Sequence, residues 1–319
     1  MAKSSSKAAA AAQSKAPAED LPNGEGVIIA HHGVTVEVRY TGGERFMARV
    51  KRRSGHVVGD AVQLRDGVLK RLPRRTELRR RDAMGGVHLV GANLDVLGIV
   101  VSPSPPPPAG FVDQAIVAAR SAGLEPFVVA NKCDLATSAE LVTALRAAYA
   151  DAVAIYPLSA ATGEGLDGLR AFFAADHRGA FVGTTGVGKS SLLNALCPEI
   201  DLQVGTLNDS TGKGRHTTTV STLHCLDGGG ELIDTPGFND FGLVDISAQE
   251  LSLYFPGFEQ GQPGNCRFRN CRHRTEPGCA VNALVAQDRI PAARYATYLE
   301  ILNDVEADEA QSRSRGRKS

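Results

Sequence analysis

The 319-residue chain lacks tryptophan, has only three methionines and contains no long uninterrupted apolar run. Its longest apolar stretch, Val87–Val101, includes Asn93 and Asp95, so it is too polar to cross a bilayer. The first 17 residues are mostly alanine, serine and lysine, and they lack the bulky apolar core of a secretory signal. These absences predict a soluble, cytoplasmic protein with no membrane partner. They also indicate that residues 1–23 form a disordered tail.

The chain has no net charge, since 35 basic residues balance 35 acidic ones, but the basic residues are unevenly placed. The segment Arg39–Asp82 contains 14 lysines or arginines against 5 acidic residues, a local excess of nine. A second basic run lies within residues 307–319, which we predict to be a basic disordered tail. Basic segments near both ends favour a polyanionic partner such as RNA. Each run alone is equally compatible with a solvated charged surface.

Three of the six cysteines crowd into a short segment that also contains a histidine. Their spacing is C-x4-C-x-H-x5-C, and the four residues are Cys266, Cys271, His273 and Cys279. Three thiolates and one imidazole form the closed tetrahedral ligand set of structural zinc. We therefore predict one structural Zn²⁺ ion in a zinc-binding domain over residues 246–306, with a final helix near its end. The remaining cysteines are expected to be free thiols.

The pattern of short runs changes near residue 83, which indicates a multidomain protein. Between Gly26 and Leu72, β-branched runs alternate with glycine turns, so we predict a small oligonucleotide-binding (OB) type β-barrel over residues 24–82. The alternative is a β-domain that only packs against its neighbour. From Asp95 onward, apolar strands alternate with helical segments, which predicts a parallel α/β sheet over residues 83–245.

A phosphate-binding loop is indicated by the pattern G-x-x-x-x-G-K-S, which follows an apolar strand and precedes a helix. Its backbone N–H groups can surround a phosphate at the helix N-terminus. Lys189 is expected to reach the β- and γ-phosphates, and Ser190 to bind Mg²⁺. The predicted nucleotide-binding residues here are Gly183, Thr184, Thr185, Gly186, Val187, Gly188, Lys189, Ser190 and Ser191.

Two further segments predict that the base is guanine. N-K-C-D, at the end of a predicted strand, comprises Asn131, Lys132, Cys133 and Asp134. The carboxylate of Asp134 can accept hydrogen bonds from the N1–H and amino groups of guanine, which adenine does not offer. Ser159-Ala160 follows another short strand and suits a backbone contact to the guanine carbonyl.

Two segments are predicted to sense the triphosphate. Asp234 follows an apolar strand and can hold Mg²⁺ through water, while the N–H group of Gly237 can sense the γ-phosphate. Between the phosphate loop and Asp234 lies a threonine run at residues 217–219, with Thr218 as our catalytic candidate. Which threonine completes the Mg²⁺ shell is left open by the sequence.

The chain lacks the glutamine that orients the attacking water in many GTPases. Many GTPases have glutamine directly after the D-x-x-G glycine, but this chain has Phe238, which has no polar group for the task. His216, directly before the threonine run, is the nearest candidate for orienting the water. The alternatives are a group supplied by a partner, with His216 a spectator or an RNA contact.

The motifs occur in permuted order, because N-K-C-D and Ser-Ala precede the phosphate loop and D-T-P-G. With this order and the cysteine cluster, the segment Gly24–Val305 resembles the circularly permuted ribosome small subunit-dependent GTPase A family. The resemblance implies an OB-type β-barrel, a central circularly permuted P-loop GTPase α/β domain and a C-terminal zinc-binding domain with helices. It further implies GTP hydrolysis to GDP and phosphate with Mg²⁺, stimulated by the small (30S) ribosomal subunit.

The resemblance also implies a role in late maturation of the small subunit and binding to its 16S rRNA. It assigns the family's switch histidine to His216, and we expect a monomer. Two other functions remain open at this point: a translation factor on elongating ribosomes, and a non-catalytic RNA-binding zinc protein in which nucleotide only stabilises the fold.

Overall fold

The structure is a computed structural model that describes residues 23–81, 86–198, 220–235, 243–244, 246–259 and 265–316. The predictions for the tail up to residue 22, for the last three residues 317–319 and for His216, Thr218 and Gly237 lie outside the described residues. The strands are β1 (Gly24–His31), β2 (Thr35–Tyr40), β3 (Arg45–Arg49), β4 (Ala61–Arg65), β5 (Val68–Arg71), β6 (Glu77–Arg81), β7 (Val87–Ala92), β8 (Val96–Val101), β9 (Glu125–Ala130), β10 (Ala154–Pro157), β11 (Arg178–Val182), β12 (Ser221–Cys225) and β13 (Glu231–Asp234). The helices are α1 (Phe111–Ser121), α2 (Ser138–Tyr149), α3 (Leu166–Phe173), α4 (Lys189–Leu196), α5 (Leu251–Tyr254), α6 (Ala280–Ala286) and α7 (Ala292–Gly316).

Strands β1 to β5 form an antiparallel β-domain with its own apolar core. Strand β1 pairs with both β2 and β4, β2 also pairs with β3, and β4 with β5. Alternate residues of these strands point into one shared core, which includes Ile28, Val38, Phe46 and Leu64. The predicted small antiparallel β-domain is therefore present. Closure of these five strands into an OB barrel stays a prediction.

The central sheet is parallel and carries helices on both faces. Its order is β10-β9-β8-β11-β13, with β12 added antiparallel to β13. Along β8 the side chains alternate, since Ile99 and Val101 pack with α1 and α2, whereas Val96 and Val100 pack with α3 and α4. All four are fully buried. This is the three-layer α/β arrangement that the alternating strands and helices predicted.

The β-domain and the central sheet are joined by main-chain pairing. Strand β1 pairs with β12 through His31–Ser221 and Ala30–Thr222, so the two units share one 11-stranded sheet. Sequence patterns did not indicate this contact, because pairing between distant strands leaves no local signal.

The arginine-rich hairpin β6–β7 spans the boundary that we predicted between residues 82 and 83. Its start is fixed to the β-domain, because Arg74 donates to both oxygens of the buried Asp60, at 2.6 and 2.9 Å. The side chain of Asn93 adds a second link by donating to the carbonyl of Gly59 at 2.9 Å. The β-domain and the α/β unit therefore meet through paired and hydrogen-bonded segments.

The C-terminal helices pack around Phe255, Phe258 and Tyr298, all buried. Helix α7 continues to Gly316, so the prediction of a disordered tail from residue 307 is wrong for residues 307–316. Contacts beyond residue 306 explain the difference, since Glu309 accepts a hydrogen bond from the backbone of Ala248 at 2.7 Å. Within the described ranges, no helix combines the length and the apolar character that a bilayer crossing requires.

Candidate nucleotide and metal sites

The predicted nucleotide motifs meet at one edge of the parallel sheet. Strands β8, β9, β10, β11 and β13 run in the same direction, so their carboxyl ends lie together. Asn131 directly follows β9, Gly183 directly follows β11, and Asp234 is the last residue of β13. Open α/β sheets bind ligands at this edge. The permuted order of the motifs therefore does not keep them apart.

The phosphate loop requires its glycines for steric reasons. A Cβ on Gly183 would lie 2.4 Å from the carbonyl oxygen of Val100, and Gly188 has a φ of 96°. Helix α4 then begins at Lys189 with no side-chain cap among the described residues, so its first N–H groups can receive an anion. The other predicted loop residues differ in exposure: Gly183 and Val187 are buried, Thr184, Gly186, Gly188, Lys189 and Ser191 are partly buried, and Thr185 and Ser190 are exposed.

The side-chain amide of Asn131 joins three predicted nucleotide segments. Asn131 is only 2% exposed. Its Nδ2 donates to the carbonyl of Val187 in the phosphate loop at 2.9 Å, and its Oδ1 accepts from the N–H group of Ala160 at 3.0 Å. The base loop (Asn131–Asp134), the Ser-Ala loop (Ser159-Ala160) and the phosphate loop (residues 183–191) are thus held in one arrangement.

Lys132 makes a second connection between these loops. Its ammonium donates to the carbonyl of Gly186 and to the carbonyl of Ser104, each at 2.6 Å. Burial lowers the pKa of Lys132, and the neighbouring Asp134 carboxylate opposes that shift. The backbone of Cys133 donates to Leu158 at 3.0 Å, which ties the base loop to the end of β10.

The carboxylate of Asp134 is exposed and held by a buried hydroxyl. Ser159 Oγ donates to Asp134 Oδ1 at 2.6 Å, and Ser159 itself is fully buried. Each carboxylate oxygen can accept more than one hydrogen bond, so acceptor capacity remains for a base. The arrangement can therefore present Asp134 to a donor pair in a fixed orientation.

Lys189 and Asp234 face the same interior space. The Lys189 ammonium donates to the carbonyls of Gly183 at 2.6 Å and Thr184 at 3.2 Å. Burial lowers the pKa of Lys189 to about 8, with Asp234 opposing the shift. Burial raises the pKa of Asp234, while Lys189 and the backbone of Thr235 favour its ionised form.

One oxygen of Asp234, Oδ2, is buried without a hydrogen-bond partner among the described residues. Buried polar atoms normally have a partner, so an unpartnered carboxylate oxygen needs an explanation. Carboxylate oxygen is the donor type that Mg²⁺ prefers, so Asp234 fits the Mg²⁺ ion expected to accompany GTP. Ser190, at the exposed start of α4, stays a predicted second ligand.

The four residues of the cysteine cluster converge. The candidate ligand atoms of Cys266, Cys271, His273 and Cys279 all lie within 4.8 Å of one another. His273 Nδ1 is 3.3 Å from the sulfur of Cys279 and 3.6 Å from that of Cys266. Backbone N–H groups of Ala280 and Asn282 point at two of the sulfurs, as suits thiolates. A tetrahedral Zn²⁺ ion fits this donor set.

Residues 71–244, more than half of the chain, match the sequence profile of the family described as RsgA GTPase. The chain belongs to the RsgA GTPase family. Enzymes of this family hydrolyse GTP, so the chain is a GTP hydrolase. The resemblance predicted from the motifs is confirmed.

Curated relatives and solved structures extend the RsgA match over most of the chain. A protein of Pseudomonas aeruginosa strain LESB58 is 41% identical over 293 residues, covering 88% of this chain and 85% of the relative. One of Azotobacter vinelandii is 42% identical over 297 residues with the same coverage. Both are named small ribosomal subunit biogenesis GTPase RsgA.

Two solved structures share the fold. YjeQ from Thermotoga maritima has a TM-score of 0.71 and 28% identity, covering 89% of this chain and 99% of that one. YloQ, described as a circularly permuted GTPase, has a TM-score of 0.66 and 24% identity, covering 90% and 96%, which shows the fold alone. The predicted fold class, with its permuted GTPase core, is confirmed.

Several residues that shape the nucleotide and metal sites were not predicted. The carbonyl of Ser104, which accepts from Lys132, lies in the proline-rich loop between β8 and α1. The composition of this loop indicates a rigid segment but does not predict a contact with Lys132. In the metal loop, Tyr298 donates to the carbonyl of Arg272 at 3.0 Å, and Tyr295 to that of His273 at 2.7 Å. The spacing of the two tyrosines, three residues apart on one helix, was the available signal.

Proposed function

We propose that this GTPase couples GTP hydrolysis to late maturation of the small (30S) ribosomal subunit, which stimulates the hydrolysis. The observation that carries the proposal is the convergence of base loop and phosphate loop on Asn131, within a chain of the RsgA GTPase family. Support for the partner comes from relatives named small ribosomal subunit biogenesis GTPase, 41% identical over 88% of the chain. The expected compartment is the cytoplasm, where that subunit matures.

Guanine selection rests on Asp134. Its carboxylate accepts the N1–H and amino groups of guanine, and the hydroxyl of Ser159 keeps it oriented. The N–H group of Ala160 contacts the guanine carbonyl, while Asn131 holds the loop in place. Lys132 and Cys133 complete the base loop.

Phosphate binding rests on the backbone N–H groups of residues 183–191 and on Lys189. Lys189 neutralises charge on the β- and γ-phosphates in a partly buried position, where its interaction is stronger than in water. Ser190 and Asp234 would hold Mg²⁺. When bound, this ion neutralises negative charge on the phosphate oxygens.

Three further roles fall on residues outside the described part of the chain. Thr218 would add a hydroxyl to the magnesium shell, and the N–H group of Gly237 would sense the γ-phosphate. His216 positions the attacking water, since Phe238 has no polar side-chain group. The substitution His216→Ala should keep GTP affinity and abolish stimulated turnover; unchanged turnover would remove His216 from the mechanism.

Contact with the 16S rRNA is proposed for the basic β-domain and the zinc-binding unit. The β-domain presents exposed cations, among them Arg49, Lys51, Arg52 and Lys70. In the metal loop, exposed Phe268 has the guanidinium of Arg267 5.5 Å from its ring centre. Cys266, Cys271, His273 and Cys279 would hold a structural Zn²⁺ ion that fixes this loop. We propose that the protein acts as a monomer.

The test is GTP hydrolysis with and without small ribosomal subunits, using Asp134→Asn as a base-recognition variant. The asparagine amide can donate to the C2 carbonyl of xanthine, so this variant should lose GTP turnover and gain turnover of xanthosine triphosphate. Small subunits should stimulate the wild type with GTP and the variant with xanthosine triphosphate, whereas large subunits should not. Intact GTP hydrolysis without stimulation would mean that the partner is wrong.

A further inference from the structure

Strand β13 has a candidate magnesium residue at one end and an ion cluster at the other. Asp234 ends the strand, and Glu231 begins it. Strand β13 lies between β11, which leads into the phosphate loop, and β12, which pairs with β1 of the β-domain. The position of β13 therefore depends on both units.

The carboxylate of Glu231 is held by arginines from both units. Arg178, the first residue of β11, donates its Nε to Glu231 Oε2 at 2.6 Å. Arg39, on β2 of the β-domain, donates to the other oxygen, Oε1. The other terminal nitrogen of the Arg39 guanidinium, Nη1, donates to the sulfur of Cys225 on β12. The Glu231 carboxylate thus joins β13 to β2 and β11, and Arg39 extends the cluster to β12 through Cys225.

These charges are largely removed from solvent. The side chains of Arg39, Glu231 and Arg178 are 21%, 16% and 18% exposed. An ion cluster at this depth is screened less than a surface pair, and removal of one cation leaves a carboxylate oxygen unneutralised. Arg178 also donates to the carbonyl of Gly59 in the β-domain at 3.4 Å, so the cluster lies at the junction of the two units.

We propose that Arg39 is a positioning residue for magnesium-dependent nucleotide binding, although it belongs to the β-domain. By completing the cluster on Glu231, Arg39 keeps β13 in its pairing with β11 and thereby keeps Asp234 at the phosphate edge. Glu231 and Asp234 are three residues apart, about 10 Å along an extended strand, so a shift at one end reaches the other. The inference rests on the magnesium role proposed for Asp234.

The experiment measures dissociation of fluorescently labelled GDP from the full chain, once in excess Mg²⁺ and once in EDTA. The variant is Arg39→Met, which keeps the length of the side chain and removes its charge. The matched control is Arg45→Met, at the position that pairs with Arg39 on β3, where the side chain is 62% exposed. Arg39→Met should speed dissociation about fivefold in Mg²⁺, equivalent to about 1 kcal/mol, and leave the EDTA rate unchanged. Arg45→Met should match the wild type in both.

A second variant, Glu231→Gln, removes the charge at the centre of the cluster. It should reproduce the effect in Mg²⁺, and the double variant should be no worse than the more affected single variant. Additive effects would overturn the proposal. So would wild-type dissociation rates for Arg39→Met in Mg²⁺, and a lower melting temperature beside them would show that Arg39 only stabilises the fold.

Asp234→Asn separates this inference from the assignment beneath it. This variant should lose most of the slowing by Mg²⁺. If it retains the full magnesium effect, the magnesium role of Asp234 is wrong and the proposal for Arg39 fails with it. If Asp234→Asn loses the effect and Arg39→Met does not, only the role of Arg39 is refuted.

Discussion

The side-chain nitrogen of Asn131 occupies the space that a side chain on Gly188 would need. A Cβ on Gly188 would lie 2.4 Å from Asn131 Nδ2, closer than real Cβ atoms approach. The base loop can therefore pack against the phosphate loop only if position 188 is glycine.

Gly188→Ala should consequently weaken nucleotide binding. The φ of 96° adds strain, because L-residues with a Cβ rarely adopt it. We expect a loss of affinity for labelled GDP on the order of tenfold to a hundredfold, matching about 1.4–3 kcal/mol of strain and lost contacts. Gly42→Ala is the control, since nothing lies within 4 Å of its added Cβ. Equal affinities in the two variants would contradict the close approach.

Lys189 should make nucleotide affinity depend on pH. Its pKa is lowered by burial to about 8 from the ordinary 10.5, so the amine of the empty site is increasingly neutral above about pH 8. Phosphates favour the ammonium form, so binding takes up a proton and the affinity falls as pH rises from about 7 to about 9. In the protein without nucleotide, the lowered pKa of Lys189 reduces the free energy of unfolding at neutral pH. This reduction diminishes as pH rises from about 8 toward 10.5.

Calorimetry in two buffers with different ionisation enthalpies measures that proton uptake. Lys189→Arg is the comparison, because arginine stays charged over this range and should bind without proton uptake. Absence of uptake by the wild type near pH 8 to 9 would show that Lys189 is already fully charged in the empty site.

Loss of the cysteine cluster should destabilise the C-terminal unit. We expect one zinc per chain, none in Cys271→Ser, and a loss of unfolding free energy on the order of several kcal/mol, because Cys271 and Cys279 belong to the same core as Tyr298. Elemental analysis and thermal denaturation provide the measurements. Cys225→Ser, at an exposed cysteine outside the metal cluster, should keep its zinc. If the purified wild type contains no zinc and added zinc does not raise its melting temperature, the metal assignment is refuted.

Arg294 should contribute to stability by compensating a buried carboxylate. Arg294 Nε on α7 is 3.7 Å from Asp113 Oδ1 on α1, and the two side chains are 11% and 7% exposed. Arg294→Met leaves Asp113 buried without its cation, so we expect a loss of roughly 3 kcal/mol at neutral pH. The exposed Arg146→Met on α2 should cost little.

The deficit of Arg294→Met should shrink in acid. Burial raises the pKa of Asp113, while Tyr149 and then Arg294 lower it, so loss of Arg294 raises the pKa further. A raised carboxyl pKa costs stability as pH increases through it, and protonation removes that cost. Urea denaturation at about pH 5 and pH 7 measures this; equal deficits at both would show that Asp113 does not contribute.

The local motifs were readable from the sequence because their chemistry lies in contiguous residues. The phosphate loop needs glycines at fixed spacing, N-K-C-D needs its carboxylate at the fourth position, and the metal loop needs four thiol or imidazole ligands close together. The alternation of strands and helices predicted the parallel sheet in the same way. The arginine-rich strand β6 was missed, since its composition does not resemble that of a strand.

The tail prediction failed for residues 307–316, where two residues of α7 contact distant segments of the chain. Asp308 lies 3.5 Å from Arg81 of β6, and Glu309 accepts from Ala248. Composition describes the solubility of such a segment but not the surface on which it packs.

The sequence by itself therefore determined which chemical groups this GTPase carries and, through the order of its motifs, that its core is permuted. Only the tertiary structure decided how those groups are held: Asn131 against Gly188, Ser104 against Lys132, and Arg39 on Glu231. The physical reason is that spacing along the chain specifies local geometry, whereas these pairs lie far apart in sequence and meet only when the sheet assembles.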